Sequence, residues 1–368
     1  MQAVAAGTWT GISQYSLYTW GNRNDGQLGQ NSFIDRSSPV QVGTDTNWAY
    51  IDGGNQSSIA TKTTGALFTW GGNGAGELGI NLTAGTYSSP VQVGALTTWS
   101  KVAMGGSFSV ATKNDGTLWA WGANSVGQLG QNDVVYRSSP VQIGALTNWS
   151  SSATGGNHFI AIKTDGTLWS CGFNTSGQLG DGTVIRRSSP VQIGALTTWT
   201  KVSANETVSA AIKSDGTLWV WGSNLNGELG QNNLTYRSSP IQVGALTTWL
   251  EISVGAYFCL GITNAGAMWS WGRNFGGNLG QNNTTYRSSP VQVGALTTWS
   301  KVFGGANHSL ATQTDKTLWS FGFNSSGQLG QNDRVSRSSP TQVGLLSSWV
   351  TIAAGNNHSL ALYETITS

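Results

Sequence analysis

All seven prolines of the chain, Pro39, Pro90, Pro140, Pro190, Pro240, Pro290 and Pro340, are spaced 50 or 51 residues apart. A fixed period of that length restricts the chain to a stacked or radial array, in which each copy buries its faces against its neighbours. The 368 residues therefore read as one domain and not as two or three. The repeats run approximately over 1–47, 48–98, 99–148, 149–198, 199–248, 249–298 and 299–348, with 349–368 completing the copy formed by 16–43.

One unit shows the local logic. Two short runs with alternating apolar residues, SKVAMGG and SFSVATK, read as strands. Asp115-Gly116 then supplies a tight reversal, because glycine takes positive φ without a steric penalty. Leu118-Trp119-Ala120-Trp121 makes a third strand, with both indoles on one face and Leu118 and Ala120 on the other. The segment ending in Gly-Gln-Leu-Gly turns the backbone closely, and SSPVQIG forms a fourth strand with Pro140 at its first position. No sustained helical period occurs. The pattern predicts an all-β, seven-bladed β-propeller of four-stranded antiparallel blades, with the ring closed by strands from both termini.

The 18 tryptophans fit this scheme as wedges between neighbouring blades. Seven stand before the first strand of a unit and ten at the two third-strand positions; only Trp9 lies outside. Each would bury about 150–250 Å², an upper bound of about 4–6 kcal/mol. The first half of the unit occurs eight times, once too often for seven blades. The C-terminal copy, from Trp349, is expected to close the ring, and the shorter copy near residue 4 to be displaced as an extra strand or cap.

Only 9% of residues are charged, the net charge is +2, and no Lys/Arg run exists. That excludes the electrostatic footprint of a nucleic-acid or anionic-membrane binder. The first 20 residues lack the basic start and apolar core of a signal peptide, and no apolar run approaches a spanning length. Cys171 and Cys259 sit at different places in their repeats and read as buried free thiols.

The recurring pattern of apolar-x-x-Gly-Gly-x-His-Ser, Asp-Gly-Thr-Leu-Trp-x-Trp-Gly-x-Asn, Gly-Gln-Leu-Gly and Pro-Val-x-Val resembles the regulator of chromosome condensation repeat. The resemblance covers essentially the whole chain and implies a seven-bladed β-propeller. Members of that family include an exchange factor for a small nuclear GTPase and a plant UV-B photoreceptor. The exchange factor carries a protruding wedge in one blade and a basic tail. Here no repeat exceeds its neighbours by more than one residue and no basic tail is present. The photoreceptor's Gly-Trp-Arg-His-Thr setting is replaced by Gly-Gly-Asn-His158, Gly-Ala-Asn-His308 and Gly-Asn-Asn-His358. Function does not follow from the fold.

Catalytic signals are absent. The three histidines share one repeat position, where sister repeats carry Phe108, Val208 and Phe258, so it reads as a packing position that tolerates His. No acid or Cys accompanies them at metal-ligand spacing. Asp115, Asp165 and Asp215 read as turn residues, since one acid per turn is far short of a calcium loop. The Gly-rich segments lack the Lys-Ser/Thr of a phosphate loop. No catalytic, cofactor or metal site is expected.

Repeats compared with one another differ most between Gly-Gln-Leu-Gly and Ser-Ser-Pro, and loops equivalent in a propeller share one face of the disc. Their candidate partner-binding residues are Phe33, Ile34, Val134, Tyr136, Ile185, Arg186, Tyr236, Tyr286 and Arg334, with Leu234 beside them. An exposed aromatic cluster marks a binding surface. Packing of each Tyr back onto its own blade is the plainer alternative. The recurring Arg36, Arg137, Arg187, Arg237, Arg287 and Arg337 read as structural, bonding loop carbonyls. Composition favours a non-catalytic structural or adhesive module of a virion or cell surface, binding a glycan or protein on one face. The alternative is an intracellular, cytoplasmic protein-interaction propeller, such as a guanine-nucleotide exchange factor for a small GTPase.

Overall fold

The computed structural model describes residues 12–367; the expected displaced N-terminal copy lies almost entirely outside them. Among the described residues, 28 strands form seven four-stranded antiparallel sheets. Blade 1 is assembled from both ends of the chain: Arg36–Gln41, Ile12–Gly21, His358–Thr367 and Trp349–Ala354, from rim to centre. Its two middle strands pair over ten residues, from Ile12 opposite Thr367 to Gly21 opposite His358. Blades 2 to 7 each come from one continuous repeat, and their first strands line the central channel. The ring is closed as expected, with residues from 349 onward completing the blade that contains residues 16–41.

One detail differs. Pro140 lies fourth in the strand Arg137–Gln142 and not first. It falls where the pairing with Leu118–Gly122 breaks register, between Arg137 and Val141. A proline there has no ladder donor to lose, because the strand is at the rim and irregular at that point.

The blades are joined by a repeated contact that explains why indoles and glycines occur together. The core between blades 2 and 3 sets Ile59, Leu67, Leu78 and Val93 against Trp99, Ala111 and Trp121, and the other junctions repeat this arrangement. Trp121 is fully buried and meets Trp99 edge to face at 5.9 Å. Its Nε1–H donates to the carbonyl of Glu77 in the preceding blade at 2.9 Å. Trp20, Trp70, Trp221 and Trp271 donate in the same way to Gln328, Gln27, Gln178 and Glu228, at 2.7–2.9 Å. The glycine after the intervening leucine backs onto that ring. At Gly79, with φ +69°, an added Cβ would stand 2.6 Å from Trp121 Nε1.

A serine of the next blade's second strand reaches the same carbonyls. Ser58, Ser109, Ser209 and Ser359 donate to Gln27, Glu77, Gln178 and Gln328 at 2.8–2.9 Å. Three of the seven junctions extend this chain with a histidine. His158, His308 and His358 are fully buried, and their Nε2 atoms lie 2.8–2.9 Å from Ser209, Ser359 and Ser58 of the following blade. Each serine has a single proton and gives it to the Gln carbonyl, so the neutral imidazole is the donor to the serine oxygen. Burial holds the imidazoles far below their ordinary range, at about 3 for His158 and His358 and about 4 for His308. The position is a packing one, as expected, with a hydrogen bond added across the junction.

The outer half of each blade is fixed by short polar links. Asp115 accepts from the Thr117 N–H and hydroxyl at 2.9 and 2.6 Å, and Thr117 in turn accepts from Trp119 Nε1 at 2.8 Å. This accounts for the acid of every Asp-Gly-Thr turn without a metal. Lys113 places its ammonium 3.5 Å from the centre of the Trp119 ring, a cation–π contact repeated at Trp169 and Trp219.

Three expectations test this account. Truncation after Ser348 removes the two inner strands of blade 1, and the cooperative thermal transition should be lost. Gly79→Ala should cost roughly 2–4 kcal/mol in denaturant unfolding, because positive φ and contact with the indole act together. His158→Phe should reduce acid sensitivity. A buried imidazole is neutral in the fold and takes a proton only on unfolding below about 6.5, so stability falls as pH drops from there towards about 3. Removing one such group should narrow the gap between melting temperatures at about pH 7.5 and pH 5 by about 2–4 °C. An unchanged gap would contradict the buried neutral histidine.

Candidate interaction surface

Each blade sends its first-to-second-strand turn and its long third-to-fourth-strand loop to the same side of the disc, here termed the front. The Asp-Gly turns and the Val-Gly-Ala-Leu connections lie at the back. A buried asparagine shapes each long loop in blades 2 to 7. Asn124 Oδ1 accepts the Leu129 N–H at 2.9 Å, and its Nδ2 donates to the carbonyls of Asp133 and Val135 at 3.1 Å. The loop is then tied to the next blade by an asparagine of positive φ, whose N–H meets a Ser-Ser-Pro carbonyl at 2.7 Å, as from Asn132 to Ser188.

On these loops Phe33, Ile34, Val134, Tyr136, Ile185, Tyr236 and Tyr286 are exposed, from 40% for Tyr236 to 64% for Ile34. Leu234, Arg186 and Arg334 are exposed as well. The tyrosines do not pack away into their own blades. These residues are spread singly or in pairs over six blades around the front, so they are not a single cluster. The recurring arginines bond carbonyls, as Arg137 and Arg337 do to Val135 and Val335, and they also pair with acids of their own loops. Arg334 spans blades 7 and 1, with its guanidinium 3.2 Å from Asp35 next to Ile34.

The densest group on the front surface comes from blade 6, and comparison of the long loops alone does not reveal it. Arg273 is stacked between two partly exposed rings, with its Cζ 5.2 Å from the centre of Tyr257 and 5.1 Å from that of Phe275. Its Nε–H points to the Tyr286 hydroxyl at 3.4 Å. Phe275 leans on Phe323 of blade 7, with ring centres 5.6 Å apart. Only Tyr286 of this group lies in the variable loop window. The others stand at positions that vary among the repeats: Tyr257 replaces Ser107 or Asn307, Arg273 stands where other blades carry Ala123, Ser223, Phe173 or Phe323, and Phe275 where others carry Ser125, Ser325 or Leu225. On the back Leu96, Leu146, Leu196, Leu246, Leu296 and Leu346 project from similar connections, and the last of these departs from the rest by the exposed Leu345 in place of alanine.

The central channel has a volume of about 300 Å³ and is walled by the first strands. Asp52 faces it and accepts N–H bonds from Met104 and Gly53 at 2.9 Å, while burial pushes its carboxyl up to about 7. The Met104 bond ties the inner strands of blades 2 and 3 together, as Ser203 and Ser253 tie later pairs. Cys171 and Cys259 are free and buried, and burial raises both thiols well above their ordinary range. A raised thiol is a poor nucleophile. Among the described residues no three His, Cys, Asp or Glu side chains come together as a metal site requires, and no helix is long and apolar enough to cross a membrane.

Comparison with known proteins agrees with this architecture. The RCC1-like domain profile matches residues 145–367, and the regulator of chromosome condensation (RCC1) repeat profile matches 16–61, 64–112 and 115–162. Human WBSCR16 superposes with a TM-score of 0.86 at 20% identity, covering 95% of this chain and 100% of that one. Prp20p of Saccharomyces cerevisiae superposes with a TM-score of 0.85 at 17% identity, covering 97% and 93%. At these identities the likeness concerns the fold. Among curated relatives, the human probable E3 ubiquitin-protein ligase HERC6 is 34% identical over 118 residues, 31% of this chain and 12% of that protein. The mitochondrial RCC1 domain-containing protein RUG3 of Arabidopsis thaliana is 34% identical over 132 residues, 33% of this chain and 29% of that protein. The matches thus span well under two thirds of either relative. With a domain profile matched over more than half its length and seven blades of the required topology, the chain belongs to the RCC1 repeat family, as an RCC1-like seven-bladed β-propeller.

Proposed function

We propose that this propeller is a non-catalytic protein-interaction module whose partner docks on the front face of blades 6, 7 and 1. The observation that carries the reading is Arg273 held between Tyr257 and Phe275 in partly exposed positions. Arginine and tyrosine are enriched among the residues that dominate binding energy at protein interfaces, and pre-stacking lowers the entropy lost on docking. Phe323, Arg334, Phe33 and Ile34 would extend the surface across the next two blades. The chemistry of the ring and channel supports no reaction.

The relatives favour this alternative over the adhesive one. The structure of Prp20p is described with its binding to Gsp1p and histones, and yeast RCC1 (Prp20) has also been solved with Kap60 bound. A virion or cell-surface module binding a glycan is supported by composition alone. Guanine-nucleotide exchange is the narrower form of the interaction reading, and the uniform repeat length offers no inserted wedge for it.

The test exchanges blade-6 residues for those of sister repeats, as Tyr257→Ser, Arg273→Ser and Phe275→Ser together. The melting temperature should stay within about 2 °C, since such surface positions carry little of the stability. A photo-crosslinker at Tyr286 should capture a protein partner that one at Leu196 on the back does not, and the triple variant should lose at least about tenfold in affinity for it. Capture from the back face instead, or binding to a glycan array that is indifferent to salt, would overturn the proposal.

A further inference from the structure

The long loop of blade 1 is built differently from the other six. Where blades 2 to 7 carry the loop-shaping asparagine, blade 1 has Arg23, and its side chain is fully buried. Arg23 Nη1 donates to Gln30 Oε1 at 3.3 Å, and Arg36 Nε donates to the same oxygen at 3.3 Å. Two guanidinium groups thus converge on one neutral amide oxygen. The remaining edge of Arg23, Nε and Nη2, has no partner among the described residues. Those two donors are the parallel pair with which an arginine grips a single anion side-on.

Sister loops show what is missing. Arg137, Arg187 and Arg337 are each neutralised by an acid of their own loop, Asp133, Asp181 and Asp333, at 2.7–2.8 Å. In blade 1 Ser32 stands where Asp133 and Asp333 stand, as Asn233 and Asn283 do in blades 5 and 6, where Arg237 and Arg287 also leave Nε without a partner among the described residues; what sets blade 1 apart is the second guanidinium, Arg23, buried beside the first. The neighbouring carboxylate, Asp35, is engaged elsewhere: Oδ1 accepts the Arg23 backbone N–H at 3.1 Å and Oδ2 pairs with Arg334 at 3.2 Å. Burial and the charge of Arg36 lower the Arg23 guanidinium to about 10. A buried guanidinium without a counter-charge is strongly unfavourable, and a water molecule would satisfy its donors but not its charge.

We propose that the blade-1 loop holds a small monovalent anion of chloride size, gripped by Arg23 Nε and Nη2 with Arg36 as the second positive group. Because Arg23 is buried, the ligand proposed is a compact ion and not a phosphate ester or a partner's side chain. The ion replaces the missing loop acid and completes the loop that presents Phe33 and Ile34. The inference does not depend on the proposed partner.

The probe is chloride itself, compared with gluconate, which is too large to enter. At about 200 mM, wild-type protein should melt about 2 °C higher in the chloride salt than in gluconate, beyond whatever difference the Arg23→Asn variant shows. That variant restores the residue of the sister blades and keeps the loop buildable. A crystal of wild-type protein soaked in bromide should give an anomalous peak against the free edge of Arg23. Equal chloride increments in the two proteins, or a water and no anomalous peak at that edge, would overturn the assignment.

Discussion

At six of the seven junctions the ring depends on a main-chain carbonyl in the Gly-Gln-Leu-Gly segment, or its equivalent, and on the donors that the following blade sends to it. Sheets set radially diverge outward, so the gap between them needs both bulk and a directional link. The third-strand tryptophan supplies both, because its ring fills the wedge and its N–H reaches the carbonyl of Glu77 or its equivalents. The serine beneath adds a second donor, and three histidines bind that serine from the blade before. A buried carbonyl left without these donors would cost more than the bonds contribute when made, which favours the contact wherever the wedge closes over that carbonyl.

Exceptions to the repeat occur in compensating sets. Between blades 3 and 4 Phe159 replaces the serine and Cys171 the tryptophan, so neither usual donor is present, and the thiol lies between the carbonyls of Arg187 and Gly127, at 3.1 and 3.3 Å. There Phe108, Phe159 and Cys171 share one apolar cluster, so packing replaces hydrogen bonding at that junction. In blade 5 the inner turn has Asn205 where every other blade has glycine. The glycine is needed where a ring follows: a Cβ on Gly105 would lie 2.3 Å from Phe108, and one on Gly155 2.2 Å from His158. Blade 5 has Val208 at the ring position, and the asparagine fits.

The periodic prolines, the paired tryptophans and the Asp-Gly turns made the fold readable from sequence down to which terminus closes the ring. Each of those signals is local and repeated, so one correct reading served seven times. The placement of Pro140 failed because the bulge that tolerates it depends on the partner strand. The histidine-to-serine bonds were unreadable for a related reason: His158 and Ser209 are 51 residues apart and meet only when two blades stack. The candidate surface was half legible. Tyr286 and Arg334 fall in the variable loops, whereas Tyr257, Arg273 and Phe275 come from two other segments of blade 6, which the fold brings to one side.

Repetition also bears on the proposed surface at the front of blade 6. A change at a junction position disturbs two blades at once, since each buried side chain packs against a neighbouring sheet. Connections at the back are held by the turn chemistry of Asp115 and its equivalents, and their exposed leucines recur in place. Front turns and loops are hung from asparagine anchors such as Asn124 and Asn274, so their outward residues can change without reaching the wedge. These positions vary among the blades, with Phe173, Leu225 and Phe323 at equivalent places, and in blade 6 Tyr257, Arg273 and Phe275 meet in one stack, which is the contact on which the proposed docking face rests.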